Sequence, residues 1–155
     1  MRLASDRAAA AAATVVTAVA GSLAADPGST WFRRLRKPPW YPPPATFGIV
    51  WTALYGAMAW AGGEVLSRTD GSARTGFARA GAVNLALNAA WTPLFFRAHR
   101  PWLAAAECAA LTASTADLVR RATAVSPPAA AALAPYAAWT AFATALSADI
   151  ARRNA

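Results

Sequence analysis

Aromatic and carboxamide side chains recur at helical spacing in three runs of the chain. Phe47, Trp51, Tyr55 and Met58 fall at i, i+4, i+8 and i+11; Asn84, Asn88 and Trp91 at i, i+4 and i+7; Pro135, Trp139, Phe142, Ala143 and Leu146 share a third face. Flat apolar walls with a few polar handles are the lining expected around a large, planar, mostly apolar ligand. The alternatives are simple packing or an interfacial belt, where Trp and Tyr concentrate in membrane proteins. Trp31, Trp40, Trp60 and Trp102 lie near predicted helix ends and fit that belt. Asn84 and Asn88 carry more weight, because a carboxamide in an apolar span must find a partner and so faces the interior. That partner could equally be a neighbouring helix, an interaction averaging ~0.6 kcal/mol in membranes. Ahead of the first run, Leu35–Pro44 sets Arg36, Lys37, Trp40 and Tyr41 among Pro38, Pro39, Pro42, Pro43 and Pro44. Proline fixes φ and removes a backbone donor, so this stretch reads as a rigid basic lid that brings Trp40 to a pocket mouth.

Metal and nucleophile chemistry finds no support. The single histidine, His99, lies in a basic turn without carboxylate or thiol neighbours, and the single cysteine, Cys108, sits in an apolar stretch as small-residue filler. Neither a metal site nor a disulfide can be assembled from them. No phosphate-binding glycine loop or nucleophile elbow is present. No catalytic residue is expected.

The elements that must position these side chains follow from composition. The chain has 155 residues, 57% of them hydrophobic and 14% charged, with a net charge of +8. That is too apolar for an ordinary soluble domain and too short for two. The basic residues cluster between apolar segments, at Arg33, Arg34, Arg36 and Lys37, at Arg97 and Arg100, at Arg120 and Arg121, and at Arg152 and Arg153. Topology signals and lipid contacts belong there, so no nucleic-acid partner is expected. The predicted fold is an all-α integral membrane bundle of five transmembrane helices, approximately 8–25, 46–66, 80–96, 102–119 and 127–151, as one domain over 1–155, with a lid loop at 26–45. The first segment reads equally as a signal peptide, with basic Arg2 and Arg7 before an Ala/Val run and a Ser22–Ala25 cleavage-like end. Asp70 and Gly71 mark a turn in a polar loop over 67–79. Glu107 enters the fourth span by about one turn, and could be neutral, paired, or within reach of the Arg97–Arg100 turn. Lys and Arg divide almost evenly between the two sides. Near the first helix, Arg33, Arg34, Arg36 and Lys37 outweigh Arg2 and Arg7, which places the C-terminus in the cytoplasm. Ala78, Ala82, Ala86 and Ala90 form a small-residue stripe on the third helix, either a homodimer face or packing within one chain.

These residues together resemble one known family. Lys37 through Pro43, Phe47, Val50, Trp51, Leu54, Tyr55 and Met58, then Leu87, Asn88, Trp91, Pro93 and Leu94 to Phe96, then Val125 to Pro127, and finally Pro135, Tyr136, Trp139, Phe142, Ala143 and Leu146 are similar to the tryptophan-rich sensory protein/translocator protein (TspO/MBR) family. The resemblance runs from about Trp31 to Asn154. It implies a five-helix membrane protein, usually a homodimer, that binds porphyrins such as protoporphyrin IX and haem as ligands rather than obligatory cofactors. It carries ligand-binding positions onto Trp40, Phe47, Val50, Trp51, Tyr55, Asn88, Trp91, Trp139 and Ala143, with Asn84 where many relatives have Gln. It also favours a retained first helix. Mitochondrial members bind cholesterol and benzodiazepine-type drugs, but Leu146 to Arg152 lacks the Tyr of the animal cholesterol-recognition pattern, and Ser147 replaces a customary Asn. The missing Tyr argues against cholesterol and for a bacterial inner-membrane member, while Ser147 bears on hydrogen bonding near the helix end.

Three functional readings follow. One is a membrane receptor, carrier or sensor in which Trp51, Trp91 and Trp139 stack on a tetrapyrrole and the Arg33–Lys37 cluster attracts its propionates. Another is light-dependent porphyrin degradation with pocket tryptophans as redox partners. The last is a ligand-free scaffold that regulates a partner.

Overall fold

The computed structural model describes residues 2–155, with side-chain surroundings from residue 4 onward. Met1, the first residue of the predicted domain, and the side chain of Arg2 in its basic start lie outside the described residues. The described chain is all-helical: α1 (Arg2–Ala24), α2 (Thr30–Arg34), α3 (Pro44–Ser67), α4 (Gly71–Phe96), α5 (Pro101–Thr123) and α6 (Pro127–Arg153). The five long helices are those expected; α2 is additional and lies inside the predicted lid loop. Ser29 starts it, its Oγ accepting from Phe32 N at 3.2 Å while donating to Asp26 O at 2.9 Å.

α1 opens at Arg2 rather than at 8 and α5 runs to Thr123 rather than to 119, and two further boundaries differ from the sequence reading for identifiable reasons. α3 opens at Pro44 rather than at 46, because proline at a first helical turn lacks only an N–H that would be orphaned anyway. α4 opens at Gly71 rather than at 80. Asp70 is its N-cap residue, Gly71 takes φ 55°, and of the polar residues that suggest a loop Arg74 reaches α1, donating to Asp6 at 2.6 and 2.9 Å.

Long helices pack in a ring. α1 lies across α3 and α4, α4 meets α5, α5 packs along most of α6, and α6 returns to α3. Close approach of α1 to α3 depends on Gly62 and Gly63: a Cβ on Gly63 would stand 2.8 Å from Arg7 Cγ and 2.9 Å from Arg7 Cα. Beside it Glu64, in the last turn of α3, takes Arg7 at 3.3 Å and also Arg68. Two apolar cores result. One, away from the lid, includes Leu54, Met58, Val65, Phe77, Leu111, Leu118, Leu133 and Tyr136. The other, at the lid end, gathers Phe95, Ala104, Leu146 and Ile150 with Trp31, Phe32 and Trp91.

Polar side chains are buried alongside these apolar cores, and large apolar ones face outward. Asn84, Asn88, Thr115, Thr140 and Ser147 are buried, while Val15, Val16, Val19, Leu23, Ile49, Val83 and Leu103 face outward. Ala78, Ala82 and Ala86 lie on the outer face of α4, with Ala90 half-buried. By length and apolar composition two helices qualify as membrane spans, Ala4–Ala24 at a mean hydropathy of 1.4 and Pro127–Arg153 at 1.3.

The α1–α3 contact yields a direct test. Gly63→Ala must push the backbone of Arg7 away and should cost about 1–3 kcal/mol, read as a lower unfolding midpoint in detergent. Gly56→Ala, with nothing within 4 Å of its Cβ, should leave the midpoint unchanged or raise it.

Candidate functional site

A cavity of about 820 Å³ occupies the lid half of the ring, with walls from all five long helices and a cover from α2 and the segment after it. Its aromatic wall is built by ring-on-ring contact. Trp51 stacks on Tyr55 at 5.3 Å, Phe47 meets Trp139 edge-on at 5.8 Å, and Trp91 stacks on Phe95 at 5.2 Å and 13°. Such pairs fix ring planes beyond what burial alone does. Trp91 Nε1 is buried and has no acceptor among the described residues. The facing wall, from α1, is made of small residues, Ala18, Gly21, Ser22 and Ala25, which leaves the volume open.

A hydrogen-bond chain runs from the inner end of the cavity. Tyr55 Oη donates to Asn88 Oδ1 at 2.9 Å; Asn88 Nδ2 donates to Tyr136 Oη at 2.9 Å; and Tyr136 Oη donates to Asn84 Oδ1 at 3.0 Å. Asn84 Nδ2 then reaches Thr115 Oγ1 at 3.0 Å and Ser114 Oγ at 3.3 Å. The chain ties α3, α4, α5 and α6 together and leaves neither carboxamide unsatisfied. Nearby, Cys108 lines the cavity with its thiol donating to Thr140 O at 3.5 Å.

Above the cavity the lid is pinned at several points. Asn154, just past α6, accepts from Arg36 N at 2.9 Å and donates to Arg36 O at 3.1 Å. Arg97 donates to Leu23 O and Ala24 O at 3.3 and 3.2 Å, and Trp31 stacks on His99 at 4.2 Å. Lys37 Nζ donates to Phe32 O at 2.8 Å and stands 4.2 Å above the Phe32 ring centroid. Desolvation lowers the Lys37 pKa, and burial raises that of Tyr41. Lys37 and Arg33 are the cationic residues among those lining the cavity.

Of the side chains singled out in the sequence, Phe47, Trp51, Tyr55, Asn88, Trp91, Trp139 and Ala143 line the cavity. Three are placed elsewhere. Trp40 is 43% exposed and packs edge-on against Phe142 at 5.7 Å. Val50 packs against the core away from the lid. Asn84 is fully buried and connects to the cavity only through Tyr136 and Asn88. Glu107 meets no guanidinium; both its carboxyl oxygens are buried without a partner among the described residues. Sequence reasoning missed Tyr136 as a network member, Tyr41 and Phe95 as lining residues, and the α1 wall. The spacing of Ala18, Gly21, Ser22 and Ala25 at three and four residues was the available signal for that wall.

Known proteins were compared with the chain. The model of the TspO/MBR family matches residues 9–153, which includes most of α1. The translocator protein of Ovis aries is 38% identical over 125 residues, spanning 77% of this chain and 72% of the relative. The tryptophan-rich protein TspO of Bacillus cereus is 31% identical over 118 residues, 76% of each. The tryptophan-rich sensory protein of Cereibacter sphaeroides is 37% identical over 70 residues, 45% of this chain and 42% of the relative.

The hydrogen-bond chain makes its own prediction. Tyr136→Phe strands an Asn84 oxygen and an Asn88 N–H in the interior and should destabilise the bundle by about 1–2 kcal/mol. Tyr55→Phe, at the cavity edge where water can replace the hydroxyl, should cost less than half as much. Unfolding titrations in mixed micelles give both values.

Proposed function

The chain belongs to the TspO/MBR family, and from that premise we propose that it is a five-helix integral membrane protein that binds a tetrapyrrole in the aromatic cavity, as a carrier or sensor. The observation that carries the reading is a roughly 820 Å³ cavity walled by Trp51, Trp91 and Trp139 with Arg33 and Lys37 on its lining. Its volume lies toward the upper end of the ~300–1,000 Å³ range of small-molecule sites, as a macrocycle requires. Indole faces stack on a planar conjugated ring. The Trp91 N–H offers a donor to a polar edge of that ring, and the lid cations offer charge-assisted bonds to peripheral carboxylates.

The family is one of membrane proteins, and the outward Val and Leu side chains around a polar interior support a bundle solvated by lipid. Each long helix has 23–27 residues, enough at 1.5 Å per residue to cross a hydrocarbon core of ~30 Å. Hydropathy singles out only two because α3, α4 and α5 spend positions on Trp, Tyr, Asn, Thr and Arg, several of which face inward. A bacterial inner membrane with the C-terminus in the cytoplasm, and a homodimer through the outer face of α4, complete the proposal. The absent Tyr between Leu146 and Arg152 argues against a sterol ligand.

Titration of protoporphyrin IX into the protein in nanodiscs, followed by its Soret band, should saturate, and Trp139→Ala or Trp51→Ala should weaken binding several-fold. Absence of saturable binding would end the reading. Arg33→Gln with Lys37→Gln should weaken protoporphyrin IX but leave its dimethyl ester unaffected; equal losses would remove the lid cations from the site. Because the Lys37 pKa is lowered from 10.5, its charge is lost earlier than an ordinary lysine's as pH rises. The carboxylate-dependent part of the affinity should therefore begin to fade on the alkaline side below that value.

A further inference from the structure

A second concavity of about 470 Å³ lies on the outer seam of α4 and α5, at the end away from the lid. Its apolar side is formed by Gly76, Ala80 and the outward Val83, and its rim carries Arg79 and Arg121, with Ser114 half-buried beside them. These rim groups are available. Arg79 has no hydrogen-bond or ion-pair partner among the described residues. Arg121 is held in place through Nε, which donates to Asp117 Oδ2 at 2.6 Å, leaving both Nη groups uncommitted. Gly76 gives the guanidinium room: a Cβ there would already stand 3.4 Å from Arg121 Nη1. Ser114 accepts from Asn84 and has its own proton to donate. The one acid in the groove, Asp117, has Oδ1 bonded by Arg120 and Oδ2 by Arg121, so its charge is compensated within the fold.

We propose that this groove holds one anionic phospholipid, its phosphodiester gripped by Arg79 and the free fork of Arg121 and its acyl chain laid along Ala80 and Val83. A planar guanidinium fork matches two phosphate oxygens at once. Basic pockets between membrane helices take anionic headgroups for the same reason, each cation near the surface adding about a fivefold affinity gain. The apolar side, continuing to the outward Val83, selects a lipid over a soluble phosphate. The site rests on the membrane part of the reading above and is independent of the tetrapyrrole.

Native mass spectrometry of the intact protein, released from micelles holding phosphatidylglycerol, phosphatidylcholine or inorganic phosphate, tests it. A phosphatidylglycerol adduct should be retained in preference to phosphatidylcholine. Arg79→Gln, which breaks no contact, should weaken it about fivefold. Arg121→Lys should weaken it while keeping the charge, and Arg34→Gln with Arg100→Gln, at the other end, should not. Equal retention of the two lipids, undiminished binding in both groove variants, displacement by inorganic phosphate, or a dimer that excludes the lipid would each overturn the site. A chain that stays monodisperse without detergent would instead sink the membrane reading itself.

Discussion

The constraint on which the rest of the molecule depends is that two carboxamides, Asn84 and Asn88, are buried in the middle of a helix surrounded by apolar neighbours. Each brings donors and acceptors that cost several kcal/mol if left bare. The only way to bury them is to hold Tyr136 of α6, Tyr55 of α3 and Thr115 of α5 at bonding distance simultaneously. Such a chain adds little net stability, since the unfolded protein would also find partners for these groups. What it supplies is register: sliding α6 by one residue against α4 removes the Tyr136 hydroxyl from both amides at once.

Fixed register explains why the interior divides into a filled half and an open half. Away from the lid, Ala61, Ala122 and Ala129 are buried in one cluster with Leu54, Leu118 and Leu133. Toward the lid, α1 contributes only small side chains while α3, α4 and α6 contribute rings too rigid to collapse inward. Rings already paired with one another, as Trp91 with Phe95 and Phe47 with Trp139, hold the space open. The network marks the boundary between the two halves, with Tyr55 and Asn88 on the cavity side and Asn84 beyond it.

Much of this was legible in the sequence, because helical spacing decides which side chains share a face. Trp51 with Tyr55, Asn88 with Trp91, and Trp139 with Ala143 were found that way and do share the cavity. The lid is where spacing fails, since no period governs a proline-rich turn. Tyr41 N bonds to Pro38 O at 3.0 Å, and this turn sends the two adjacent rings to different places: Tyr41 lines the cavity and Trp40 packs outside against Phe142. The α1 wall was missed for a different reason. Small residues create a cavity by what they lack, and a pattern of Ala, Gly and Ser looks the same whether it borders a void or a close helix contact.

Charge is handled differently at the end away from the lid and in the lid segment itself. Away from the lid, Arg7 and Arg68 share Glu64, Arg74 takes Asp6, and Arg120 and Arg121 take Asp117, so most positive charge is neutralised by the fold itself. Arg79 is the exception at that end among the described residues. In the lid, no carboxylate pairs with the side chains of Arg33, Arg34, Arg36 or Lys37 among the described residues. Lys37 spends one of its three donors on Phe32 O and keeps two. Desolvation lowers the Lys37 pKa, and what faces its ammonium in place of a carboxylate is the Phe32 carbonyl and the rings of Phe32 and Tyr41. On the tetrapyrrole proposal, a ligand carboxylate held there would supply the charge-assisted bond that the fold itself does not.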